Sequence, residues 1–208
     1  MSAAVTLADG LARLKLVLSQ DTQQKLLDYV ALVQKWNKVY NLTAVRDTDK
    51  MLTHHLLDSL AVVPYVAAAK TILDVGSGAG LPGIPLALAL PQAHVTLLDS
   101  NQKKTTFLNQ AVIELKLHNV TVVCERVEKY TTSQTFDWVV SRAFAELADF
   151  VTQAGRLVAP GGTLLAMKGV NPADEIAQLK EGFKLSGVTP LAVPGLAAER
   201  HLVFLQAA

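Results

Sequence analysis

The chain has 208 residues, half of them hydrophobic, with a formal net charge of +1 and a pI near 7.9. That length buries one sizeable core or one domain with an appendage, and the balanced charge argues against a strongly basic, tail-driven nucleic-acid binder while leaving room for a local basic face. A single cysteine, Cys124, excludes an internal disulfide and a cysteine-based metal cluster, and its place behind Val122 and Val123 reads as a small buried hydrophobe.

The N-terminus, MSAAVTLADG, lacks the basic segment and apolar core of a signal peptide. Pro64, Pro85 and Pro91 break the longest apolar runs well short of the roughly 20 residues that span a bilayer. The expectation is a cytoplasmic protein in a reducing compartment, with no membrane partner.

The first seventy residues carry helical periodicity and form a helical cap over 1–70. Asp21 with Gln24 resembles a capping box, followed by Leu26, Val30, Val33 and Trp36 at helical spacing. A second helix is predicted from about Thr48, with Met51, Leu52, His55, Leu56 and Leu60 on one side. Between them WNKVYNLTAVRD, Trp36 to Asp47, reads as an ordered, Asn-rich turn.

From Thr71 the texture becomes alternating strands and helices, a domain over 71–208. Strands are predicted at Thr71–Val75, His94–Leu98, Thr121–Cys124, Trp138–Ser141, Thr163–Lys168, Gly187–Ala192 and His201–Gln206. Helices fall between most of them, including Lys103–Leu117 and Ala145–Leu157. This predicts an α/β, Rossmann-like fold with a mainly parallel seven-stranded sheet. The last two strands are close enough, around Pro194 and Gly195, to make a hairpin edge.

The stretch DVGSGAGLPGIP, Asp74 to Pro85, follows the first strand. Gly78 to Gly83 satisfies the literal G-x-G-x-x-G of dinucleotide sites, but the turn begins earlier, at Gly76. Asp74, at the strand's end and facing the expected pocket, would repel a pyrophosphate and attract a sulfonium or an α-ammonium group. S-adenosylmethionine carries both cations and no phosphate. Glycines such as Gly76 and Gly78 then allow close approach of the backbone to the ligand. A Walker A loop is excluded, since no Gly-Lys-Ser/Thr follows. Asp99, at the end of the second strand, is placed to accept the ribose hydroxyls, and Glu125 to Glu128 follow the third strand where an adenine would lie.

The acceptor is constrained by what is missing. A pyrimidine carbon needs a cysteine nucleophile, and Cys124 is on the wrong strand. An exocyclic amine in the common class needs an Asp/Asn-Pro-Pro-aromatic turn, where this chain has Ser141-Arg142-Ala143-Phe144. A ring nitrogen such as guanine N7 presents a lone pair and no proton, so it requires orientation rather than a base.

The chain resembles the 16S ribosomal RNA (guanine-527-N7) methyltransferases, historically called glucose-inhibited division protein B. The resemblance covers nearly the whole chain. It rests on Trp36-Asn37-Lys38, Asn41-Leu42-Thr43-Ala44, His55 with Asp58-Ser59-Leu60, DVGSGAGLPGIP, Ser141-Arg142-Ala143-Phe144, Met167-Lys168-Gly169 and Glu199-Arg200-His201. It implies transfer from S-adenosylmethionine to one guanosine of 16S rRNA in an assembling or complete small subunit. The family's cofactor contacts map onto Gly76, Leu81, Val127, Glu128 and Arg142.

Arg142 could pair with the cofactor's carboxylate or hold the target guanine through O6, and the first role is preferred because a grip on O6 and N7 would block the methylated atom. Lys38, Arg46, Lys168 and Arg200 lie at element ends or in loops, where phosphate-directed charges sit. His55 reads as a hydrogen-bonded packing residue rather than a metal ligand, Trp36 as core, and the protein as a monomer. Rival readings are a small-molecule methyltransferase, an NAD-dependent oxidoreductase, and a binding module that kept the fold without activity.

Overall fold

The computed structural model describes residues 2–142, 144, 146–170, 172–179 and 182–208. Ala143 of the Ser-Arg-Ala-Phe motif and the expected helix start at Ala145 lie outside the described residues.

Helix α1 (Ala3–Arg13), not located from the sequence, is capped by Ser2, whose hydroxyl accepts from the Val5 amide. Helix α2 (Gln20–Tyr40) starts at Ser19 rather than at the expected Asp21 box. The Ser19 hydroxyl takes the Thr22 amide, and Gln24 donates instead to Asp28 one turn on. Leu26, Tyr29, Val30 and Val33 are buried, and Trp36 packs on Tyr40 and Phe107 as expected of a core-facing residue.

Because α2 continues through Tyr40, the turn expected over Trp36–Asp47 is shorter. Asn41 ends the helix in the left-handed region, at φ 49°. The buried Asn37 then orders the loop, accepting from the Thr43 amide and donating to the Val45 carbonyl. Asp47 caps a rod made of α3 (Thr48–Met51), a π-helical turn (Leu52–Leu57) and α4 (Asp58–Leu60), and α5 (Val63–Val66) follows.

The rest alternates: β1 (Thr71–Val75), α6 (Gly83–Ala89), β2 (His94–Asp99), α7 (Gln102–Glu114), β3 (Val120–Cys124) and β4 (Phe136–Ser141). Then come α8 (Leu147–Ala154), a short 3-10 turn (Gly155–Leu157), β5 (Val158–Lys168), α9 (Ala173–Ala177), β6 (Phe183–Pro190) and β7 (His201–Ala207). They form a seven-stranded sheet in the order β3-β2-β1-β4-β5-β7-β6. The pairs from β3 to β5 are parallel, and β7 inserts antiparallel between β5 and β6, giving the expected hairpin edge.

Strand order reverses between β1 and β4, so a crevice opens at their carboxyl ends. One core joins Leu7, Leu26 and Leu56 to Val95, Phe107 and Leu202, so the N-terminal helices share a continuous interior with the sheet. A second core, around Leu73, Phe136 and Phe150, fills the other face.

Cys124 is exposed, contrary to expectation. It ends β3, an edge strand left largely uncovered, so its apolar neighbours do not carry it inward. Among the described residues no helix is long and apolar enough to cross a membrane.

Candidate active site

The glycine loop is held against β2 by its own backbone. The Gly76 and Ser77 amides both donate to the Leu98 carbonyl, at 2.8 and 3.1 Å. Gly76 and Gly78 take φ of 72° and 60°, which a side chain would disfavour. The Gly78 amide donates to Asp99 Oδ2 at 2.8 Å, and Asp99 Oδ1 accepts from Asn101 at the same distance. A carboxylate has about four acceptor positions, so Asp99 keeps capacity for hydroxyl donors while being fixed from behind.

In front of it lies a cleft of about 400 Å³, lined among others by Gly76, Asp99, Lys104, Val127, Glu128 and Phe144. Four of the expected cofactor residues, Gly76, Asp99, Val127 and Glu128, therefore meet here. Val127 is buried and its carbonyl is tied to Arg156 Nη2 at 2.6 Å, whereas Glu128 is exposed. Phe144 stacks on Phe150, with centroids 4.9 Å apart, and forms part of the cleft wall.

The remaining expected cofactor residues stand elsewhere. Gly78 acts through Asp99, and Leu81 is buried in the core. Asp74 does not face the pocket. Its side chain is fully buried beneath the loop, where Oδ2 accepts from the Gly83 amide at 2.9 Å and Oδ1 has no partner among the described residues. Burial, the dominant cause, pushes its carboxyl up to about 7.

The reason is steric. A Cβ on Gly83 would lie 2.6 Å from Asp74 Oδ2 and would also strike Leu97. The absent side chain lets α6 settle on β1 and β2 over an inward-turned carboxylate, so the last glycine of the literal G-x-G-x-x-G serves helix–strand packing.

A second cleft, of about 350 Å³, is lined among others by Val45, His55, Asp58, Arg142, Lys168 and Arg200. Arg142, expected to pair with the cofactor's carboxylate or to hold the target guanine, lines this cleft and not the one beside Asp99. Its Nη1 donates to Asp58 Oδ2 and to the His54 carbonyl, both at 3.3 Å, because Asp58 and His54 are carried onto the end of β4 by the π-helical rod.

Arg200 Nε donates to the other Asp58 oxygen at 3.0 Å, and Lys168 Nζ lies 2.7 Å from Glu175. His55 Nε2 pairs with Thr43 Oγ1 at 2.7 Å. Burial, then the Arg142 charge, lowers its pKa to about 4, so the ring is neutral. Of the four expected RNA-directed cations, Lys168 and Arg200 meet in this cleft. Lys38 and Arg46 instead line a separate one of about 420 Å³ beside Lys35.

The family model described as rRNA small subunit methyltransferase G matches residues 22–203. The chain belongs to that family. The ribosomal RNA small subunit methyltransferase G of Aromatoleum aromaticum is 57% identical over 210 residues, covering 99% of both chains. That of Nitrosospira multiformis is 53% identical over 215 residues, covering 100% of this chain and 99% of its own. Among solved structures, the O-methyltransferase TomG of Streptomyces achromogenes superposes with a TM-score of 0.64 at 14% identity, over 100% of this chain and 99% of its own. TrmN of Thermus thermophilus gives 0.58 at 19% identity, over 72% and 48%.

Membership makes the chain an rRNA methyltransferase, and the structural likenesses agree with the Rossmann-like sheet. Sequence reasoning missed two cleft-lining residues, Lys104 and Asp58, and one that holds the glycine loop, Tyr29. Lys104 stands 3.9 Å from Asp99. Tyr29 donates to the loop carbonyl of Ala79. Asp58 joins the two arginines, and although it was part of the recognised His55–Leu60 motif, nothing local to it announces partners 84 and 142 residues away.

Proposed function

We propose that the protein transfers the methyl group of S-adenosylmethionine to N7 of one guanosine of 16S rRNA, position 527 by family resemblance, within an assembling or complete small subunit, acting as a cytoplasmic monomer. The observation that carries this reading is the adjacency of the two clefts. The segment after β4 lines both, with Phe144 in one and Arg142 in the other, and Lys168 Nζ donates to the Phe144 carbonyl between them at 3.3 Å.

In this reading Asp99 accepts the ribose hydroxyls, the Val127-Glu128 pair borders the adenine, and Gly76 presents open backbone to the methionine portion. The 1–70 helices form one wall of the acceptor cleft through Val45, His55 and Asp58. The basic cleft admits the RNA. Asp74 acts from beneath as a brace of the glycine loop rather than as a counter-ion.

The bookkeeping of the reaction needs no base. The N7 lone pair forms the new bond to the methyl carbon, the carbon–sulfur bond breaks with its electrons going to sulfur, and the positive charge passes to the guanine ring. No proton leaves N7, so the protein supplies alignment and exclusion of water.

The test is incubation with methyl-labelled S-adenosylmethionine and small subunits from cells lacking the enzyme, followed by strand cleavage directed at N7-methylguanine. Cleavage at one guanine supports cofactor, atom and partner together. Turnover with small molecules and none with subunits would replace this reading with a small-molecule methyltransferase.

A further inference from the structure

Asp58 is only 1% exposed, yet both arginines that it holds keep about a quarter of their side-chain surface open, 27% for Arg142 and 24% for Arg200. Each uses one edge of its guanidinium on the carboxylate: Arg142 through Nη1 to Oδ2, Arg200 through Nε to Oδ1. Arg200 Nη1 is spent on the Glu199 carbonyl. Among the described residues neither Nη2 donates to protein, and both arginines line the same cleft.

Two cations sharing one buried anion leave net positive charge at the cleft mouth. A buried carboxylate between two partly exposed guanidiniums is a poor device for stability alone, since its desolvation offsets most of the attraction. It is a good device for holding two donor forks rigidly, and paired guanidinium forks match the oxygens of a phosphate. Asp58 follows directly on the π-helical turn, a feature that re-aims the residues after it and recurs at functional sites.

We propose that Asp58 is a positioning residue that holds Arg142 and Arg200 as a two-armed receptor for one phosphate of the RNA strand beside the target base. The proposal rests on the RNA-directed reading above and extends it. It gives Arg142 a contact on the acceptor side, and it gives the His55–Leu60 segment a role.

The sign of one substitution separates positioning from simple electrostatics. Asp58→Asn removes a negative charge beside RNA, so charge alone predicts tighter binding and a steeper salt dependence. Loss of the receptor geometry predicts the opposite.

The experiment measures binding of the full-length protein to small subunits from cells lacking the enzyme, over a range of salt, beside calorimetric titration with S-adenosylmethionine. For Asp58→Asn the expected results are unchanged cofactor affinity, about tenfold weaker subunit binding, and a log–log salt slope smaller by about 1. Asp58→Glu should recover part of the loss. Where Asp58→Asn also loses cofactor affinity, Arg200→Gln carries the test, with the same loss of slope expected.

Equal or tighter subunit binding by Asp58→Asn with cofactor affinity intact overturns the proposal. So does an unchanged slope in Arg200→Gln, or a wild-type protein that does not bind subunits. Subunit binding that depends on Asp58 without any label at guanine N7 would leave the receptor standing and remove the proposed reaction.

Discussion

The hydroxyl of Tyr29, on helix α2, donates to the backbone carbonyl of Ala79 in the glycine loop at 2.6 Å, across fifty residues of sequence. Both residues are buried. Burial, the largest cause, pushes the phenol above the ordinary tyrosine range, so it remains a neutral donor at any working pH. The N-terminal helices thus hold the loop that borders the cleft proposed for the cofactor. Tyr29→Phe keeps the packing and removes the donor, leaving the Ala79 carbonyl unsatisfied at a cost of about 1–3 kcal/mol. The expected outcome is a lower thermal midpoint together with weaker S-adenosylmethionine binding by calorimetry. A lower midpoint with unchanged affinity would confine Tyr29 to stability.

Asp99 is braced from two sides, by the Gly78 and Asn101 amides, before any ligand arrives. Asp99→Ala removes both braces along with the proposed ribose acceptor. Loss of hydrogen bonds to a charged group costs about 1.5–3 kcal/mol, which corresponds to a cofactor Kd raised by roughly ten- to a hundredfold. Asp99→Asn, which keeps one acceptor oxygen, should fall between that variant and the wild type. Equal Kd values for all three proteins would move the nucleoside to another part of the cleft.

At Gly83 the packing leaves no room for a methyl group, since a Cβ would meet both Leu97 and Asp74. Gly83→Ala should destabilise the fold by about 1–3 kcal/mol through overpacking. The double variant Gly83→Ala, Asp74→Gly, which vacates the opposing side chain, should recover part of that loss in chemical denaturation. Additive losses in the double variant would show that the Leu97 contact alone sets the cost.

The sheet was legible because its cues are local. In β1 and β2 the runs TILDV and HVTLLD are apolar and bounded by turn residues, and the structure starts both where the sequence did. Gly76 and Asp99, at the carboxyl ends of those strands, meet in one cleft for the same reason, whereas Asp74 does not. Strand β5 starts at Val158 rather than Thr163, because Pro160-Gly161-Gly162 reads as a break. In the fold, Gly162 is where β4's backbone comes close, with its missing Cβ 2.8 Å from the Asp137 carbonyl. Two features were not legible: the cleft in which Arg142 lies and the inward turn of the Asp74 side chain. The partners of Arg142 are on the π-helical turn and α4, 88 and 84 residues away in sequence, and the inward turn of Asp74 depends on a glycine nine residues on. Neither follows from periodicity or spacing.

Two buried groups give opposite pH dependences of stability. Asp74 has an ordinary value of 3.8 and is raised to about 7 in the fold. Between those values the folded state holds a proton that the unfolded chain has lost, so this contribution is full at low pH and disappears as pH rises through the window. His55 is lowered from 6.5 to about 4. There the unfolded chain holds the extra proton, so that contribution is full above the ordinary histidine range and disappears on acidification. The two slopes overlap from about pH 4 to 6.5 and oppose each other. Asp74→Asn should therefore gain stability relative to wild type as pH rises from about 4 to 7, and His55→Asn should gain it as pH falls from about 6.5 to 4, each by at most about 1.4 kcal/mol per pH unit. Calorimetric melts of the three proteins at matched pH give the difference curves. Parallel curves would show that neither group titrates differently in the folded and unfolded states.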